Sequence, residues 1–198
     1  MSVARLSKER HERAELELQN LRFAKWKYEE YTESDFNFNI EKLSFSSDQL
    51  EYFPTITGGD DQLIYTHRFI SGGKPTDENL FEAALDGISK LGVPLEGNLN
   101  SRLNEGAASI SPDGQFMVLT VCDRPDGAGS CDLYYSHWNP NFGWETPRPL
   151  PGEINTGRWE SQPSLGPDGR TIYFVRASNS METDRDIFVS TKDDEGNW

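Results

Sequence analysis

The sequence predicts a mainly β chain of about three repeated four-stranded units, preceded by one helix. Three segments align almost without gaps: EYFPTITGGDDQLIYT from Glu51, EGAASISPDGQFMVLT from Glu105 and ESQPSLGPDGRTIYFV from Glu160, at periods of 54 and then 55 residues. The apolar residues fall in short runs punctuated by 17 glycines and 11 prolines, which is the composition of a turn-rich globular protein.

Residues 1–35 stand apart from this pattern. The stretch ARLSKERHERAELELQNLRFAKWKYEEY has no Gly or Pro, and Ala14, Leu18, Leu21, Ala24 and Tyr28 recur at spacings of three and four. That periodicity predicts an amphipathic helix, with Leu16, Phe23 and Trp26 widening its apolar face. One reading packs the helix on the following domain; the other makes it the last helix of a helical repeat region.

Residues 36–198 hold the repeats. Leu99-Asn100-Ser101 and Ile154-Asn155-Thr156 each begin six residues before a repeat glutamate. A short strand follows the glutamate, and Asp113-Gly114 or Asp168-Gly169 then closes a tight turn in which Gly supplies a positive φ. Next come runs rich in β-branched and aromatic residues, FMVLT and TIYFV, which read as strands. The third strand is NLFEA (79–83), DLYYS (132–136) or DIFVS (186–190), and Trp144 aligns with Trp198 in a fourth segment. A period near 50 with four strands per unit is the signature of a β-propeller blade.

These residues resemble a known family. ISPDGQFMVLT followed by DLYYS resembles the PD40 repeat, a WD40-like unit also found in TolB. EYFPTIT, NEGAASISPDG, CDRPDGAGSCDLYYS and WESQPSLGPDGRTIYFV are similar to the propeller segment of OmpA-family envelope proteins of Bacteroidetes, some of which serve type IX secretion. The resemblance covers roughly residues 10–198. It implies a preceding TPR-like region, a periplasmic and outer-membrane-associated location, and envelope or secretion-machinery proteins as partners. No stretch matches the OmpA-like domain, so peptidoglycan binding is assigned to no residue. With three blades at most, the chain is expected to be a piece of a longer protein whose other blades complete the ring.

Charge narrows the function classes. The net charge is −14, and residues 1–31 carry seven basic against six acidic residues, so the excess acid lies in the repeats. That sign opposes binding to nucleic acid or to anionic lipid. No run approaches a membrane span, and MSVARLSKERHERAELELQ lacks the apolar core of a signal peptide. The chain is therefore expected either to be cytosolic or to have lost an export signal.

No catalytic constellation is legible. GxSxG, GxGxxG and the Walker loop are missing, and His11, His67 and His137 lack ligand spacing. No cofactor, metal or catalytic residue is expected. Glu51, Glu105 and Glu160 would form a ring of carboxylates if they converged on an axis. Repetition favours a role within each blade instead, accepting backbone N–H groups at the strand start. Asp132 and Asp186 are expected to fasten the loop before the third strand.

Cys122 and Cys131 flank a hairpin loop and face each other across an antiparallel pair, a geometry that permits a disulfide of the kind that persists in an oxidising compartment. The third unit's loop has no cysteine, so the blade does not need the bridge. Asp123 and Asp126 are three apart, where a calcium loop wants alternation, and eight residues separate the cysteines where a redox pair has two. Most aromatic residues are expected to pack the blades; Trp138 and Phe142, in HWNPNFGW, are the candidate binding surface.

The expected function is a non-catalytic propeller scaffold for protein–protein interaction in the cell envelope. Two alternatives stand beside it: the propeller of a prolyl-oligopeptidase-type serine peptidase, or a sugar-binding propeller.

Overall fold

The computed structural model describes residues 15, 18–19, 21–26, 40–59, 61–88, 91–151, 153–177 and 184–198. The chain divides into two compact units, Met1–Glu41 and Lys42–Trp198. In the first, residues 21–26 are helical, and the Phe23 and Trp26 rings lie 5.7 Å apart. Ala14, Leu16 and Tyr28, which carry the rest of the amphipathic pattern, fall outside the described residues.

The second unit is mainly β, and its sheets are antiparallel. The first is β1 (Leu50–Ile56), β2 (Gln62–Ser71), β3 (Lys74–Ala84) and β4 (Val93–Pro94), paired in chain order. The second is β5 (Asn104–Ile110), β6 (Phe116–Cys122), β7 (Cys131–Asn139) and β8 (Gly143–Trp144), with β9 (Arg148–Pro149) also on β7. The third is β10 (Glu160–Leu165), β11 (Thr171–Ala177) and β12 (Arg185–Thr191). Each sheet is one sequence repeat: Thr66 opposite Leu80, Thr120 opposite Leu133 and Val175 opposite Ile187 hold the same register place.

The middle sheet is covered on both faces, which explains why β6 reads as an unbroken apolar run. Met117, Leu119 and Val121 join a core with Ile64, Leu80, Leu95 and Leu99 of the first repeat. Val118, pointing the other way by the two-residue period of a strand, joins Leu133, Ile172 and Phe174. A third cluster, Phe45, Leu63, Tyr65, Phe81 and Ala83, covers the far face of the first sheet.

Each first strand carries a β-bulge, which the repeat pattern does not reveal. The register shifts between Tyr52 and Thr55, Gly106 and Ser109, and Ser161 and Ser164. Phe53, Ala107 and Gln162 sit there at φ 52, 46 and 56, an unfavourable conformation for a residue with a side chain. The neighbouring sheet holds two of these bulges. Ala107 N–H donates to Thr66 Oγ1 at 2.9 Å, and Gln162 N–H to Thr120 Oγ1 at 3.3 Å.

Candidate functional site

The repeat glutamates each turn back into their own unit. Glu105 accepts the Ser101 N–H at 3.0 Å and the Ser101 hydroxyl; Glu160 accepts the Thr156 N–H at 3.1 Å and the Thr156 hydroxyl. Glu51 does the same with Ser47. What stands opposite differs: His67 Nε2 is 3.9 Å from Glu51, Arg176 Nε is 2.8 Å from Glu160, and Glu105 faces Val121. Burial accordingly pushes the Glu105 carboxyl above its ordinary range, against the lowering effect of Ser101 and Arg124. Burial also holds His67 below its ordinary value. Among the described residues no three His, Cys, Asp or Glu side chains are grouped to hold a metal ion.

The turn residues serve the turns. Asp113 Oδ1 accepts from Gln115 N–H at 3.0 Å and from the Ser111 hydroxyl, and Asp168 Oδ1 accepts from Arg170 and Thr171 N–H, both at 3.0 Å. These bonds favour the ionised form and hold both carboxyls low. Gly114 and Gly169 close the turns at φ 69 and 63.

Cys122 and Cys131 are bonded, opposite each other at the end of the β6–β7 pair. The loop they close is tied down by its own acids. Asp132 accepts the Gly129 N–H at 3.0 Å, while Asp126 accepts the Tyr134 hydroxyl at 3.0 Å and pairs with Arg124 at 2.9 Å. The third unit's loop, 178–183, lies outside the described residues, and Asp186 pairs in register with Arg176. Reducing the bridge, or replacing both cysteines by Ser, is expected to cost about 2–3 kcal/mol for so short a loop. Urea unfolding with and without reductant measures this; an unchanged midpoint would show that the loop's polar contacts hold it alone.

Trp138 and Phe142 do not share a site. Phe142 is half-exposed, beside Arg124, Asp126 and Arg148. Trp138 lines a cleft of about 490 Å³ between the first two sheets, with Trp144, Glu82, Glu96, Asp61 and Asp113 on its walls. The Trp138 and Trp144 rings meet edge to face at 5.6 Å, as their opposed places in β7 and β8 require. Glu96 reaches this wall because its strand segment lies against Trp144: Trp144 N–H donates to Glu96 O at 3.1 Å, and Asn98 N–H to Trp144 O at 2.8 Å. That approach needs Gly97, at φ 112, where a Cβ would come within 2.3 Å of Trp144 backbone. Burial, and then the negative Glu96, push the Glu82 carboxyl above its ordinary range.

Sequence reasoning found Trp138 and passed over Glu82. A signal existed: Glu82 occupies the place held by Tyr135 and Val189 in the other repeats, opposite Ile64, Val118 and Tyr173. Glu96 left no comparable trace. The chain matches no protein-family model and no curated protein.

Proposed function

We propose that the repeat region is a set of β-propeller blades acting as a non-catalytic interaction scaffold in a bacterial cell envelope, in the manner of the OmpA-family and type IX secretion proteins that its motifs resemble. The observation that carries the propeller reading is the repeated clasp of each connecting segment on the sheet before it. Asn100 bonds both N–H and C=O of Leu80, at 2.7 and 2.9 Å, and Asn155 bonds both groups of Leu133, at 2.8 and 2.9 Å. Identical joints between successive units are what a blade array requires. The Cys122–Cys131 bridge supports an oxidising compartment, and no helix among the described residues is long and apolar enough to cross a membrane.

The scaffold role is supported by Phe142, which is 48% exposed at a surface hollow shared with Arg124 and Arg148, the aromatic and arginine composition of interaction surfaces. A photoreactive residue placed at Phe142 in the native cell is expected to yield one discrete adduct with an envelope protein, lost on Arg148→Glu. Adducts only with cytosolic proteins, or free thiols at Cys122 and Cys131 in protein taken directly from cells, would overturn the reading.

A further inference from the structure

The repeats provide an internal comparison of two clefts. Between the second and third sheets lies a cleft of about 240 Å³ lined by Phe116, Tyr135, Pro151, Lys192 and Trp198. Position by position it corresponds to the first cleft. Tyr135 stands where Glu82 does by strand register, and Lys192 stands where Trp138 does, since their N–H groups bond the carbonyls of Arg170 and Gln115 at the same place in the two turns. Pro151 stands where Glu96 does, since Leu95 and Leu150 make the same backbone bond, to Leu80 and Leu133, and Trp198 is the repeat partner of Trp144.

The second cleft holds a cation of its own. Lys192 Nζ lies 4.9 Å from the centre of the Phe116 ring and 4.9 Å from that of Trp198, within the range of cation–π attraction. The first cleft keeps the aromatic wall, as Trp138 and Trp144, is twice the volume, and adds carboxylates at two places where its counterpart has Tyr and Pro. Its described lining contains no Lys, Arg or His. Glu82 sits on a strand position that the other two repeats give to Tyr135 and Val189, so it is not a solvated surface charge by default. A half-buried carboxylate in a cleft walled by the partly buried Trp138 indole matches an ammonium or guanidinium group in both charge and stacking.

We propose that the cleft between the first and second sheets binds an organic cation, the ammonium or guanidinium of a basic side chain on a partner protein, with Glu82 and Glu96 as counter-charges and Trp138, backed by the buried Trp144, as the stacking face. The partner's being a protein rests on the scaffold reading; the cation chemistry rests on the cleft alone. Tryptophan fluorescence titration tests it with four probes: a short Gly/Lys peptide, the same peptide acetylated on its lysines, free cadaverine, and neutral cello-oligosaccharides. The lysine peptide is expected to saturate the signal, and the acetylated peptide to bind at least tenfold more weakly. Glu82→Gln/Glu96→Gln is expected to weaken the lysine peptide at least tenfold with an unchanged thermal midpoint, and Trp138→Phe to weaken it further.

Saturation by cadaverine as well supports the cation site and assigns no role to peptide backbone. Binding of the acetylated peptide as tight as the parent, binding of the oligosaccharides alone, no saturable signal with either amine, or unchanged affinity in the double variant would each overturn the proposal. None of these results bears on the Phe142 cross-link, so failure of the cation site and failure of the scaffold reading are told apart.

Discussion

Glu160→Gln is expected to destabilise the fold by about 3 kcal/mol, while Glu105→Gln at the same place in the preceding repeat changes stability by less than about 1 kcal/mol. Glu160 is fully buried, and its Oε1 accepts from Arg176 Nε at 2.8 Å. Arg176 also donates to the carbonyls of Glu153 and Ile154, at 2.8 and 2.7 Å, which fixes it in place. Removing the carboxylate leaves a largely buried guanidinium without its counter-charge, the costly way to break such a pair. Glu105 has Val121 opposite it, so Gln there strands no cation and keeps an acceptor for Ser101.

The same contrast fixes a pH dependence. In the folded chain Glu105 titrates above the ordinary value of 4.5, so the native state holds its proton more tightly than the unfolded state. Its contribution is fully present below that value and is lost as pH rises through the raised one. Glu105→Gln is expected to remove that slope. Urea midpoints of the three proteins across pH 4 to 8, with about 2 kcal/mol or more separating the variants at neutrality, measure both effects. Equal losses for the two variants would mean that Arg176 is held by the Glu153 and Ile154 carbonyls and needs no carboxylate.

Asn155→Ala is the second large effect, expected to cost about 2 kcal/mol. Leu133 is fully buried in β7, and the outward edge of its peptide is satisfied by the Asn155 amide, which also donates to Leu150 O at 3.2 Å. Alanine strands the buried Leu133 N–H, at about 1–3 kcal/mol, whereas Leu133 O keeps its bond from the Leu150 N–H at 2.9 Å. Asn155→Asp restores the acceptor and not the donor, so it should recover part of the loss. Hydrogen exchange gives the local readout: the Leu133 amide should lose protection while Thr120, its ladder partner, keeps more. Full protection of Leu133 in the Ala variant would show that water replaces the side chain.

The strands and their order within each unit were legible because a β-strand announces itself locally. FMVLTVC and TIYFVRA are apolar runs bounded by turn residues, and three in-register copies remove the ambiguity that a single short run leaves. The Asn-Ser/Thr pair was visible as a repeated word, but its bonding was not. Asn155 acts on Leu133, 22 residues earlier, and nothing in the local sequence names that partner. The bulges at Phe53, Ala107 and Gln162 were invisible for a related reason. Three different side chains occupy one left-handed position, so composition carries no mark; the conformation is held by Thr66 and Thr120 from the adjoining sheet.

The cleft divides the same way. Trp138 stood out as an aromatic residue in a polar stretch, whereas Glu82 and Glu96 join it only because sheet packing brings β3 and the segment before Asn98 against β7 and β8. By itself the sequence determined which segments are strands, that they come in repeated units, and that the two cysteines face each other, since all three follow from short-range pattern and period. Only the tertiary structure decided which glutamate meets a cation, which asparagine closes which sheet, and that two carboxylates line an aromatic cleft. Those depend on contacts between residues far apart in the chain, where one substitution at a repeat position, Val121 for Arg176 or Glu82 for Tyr135, changes the chemistry without changing the fold.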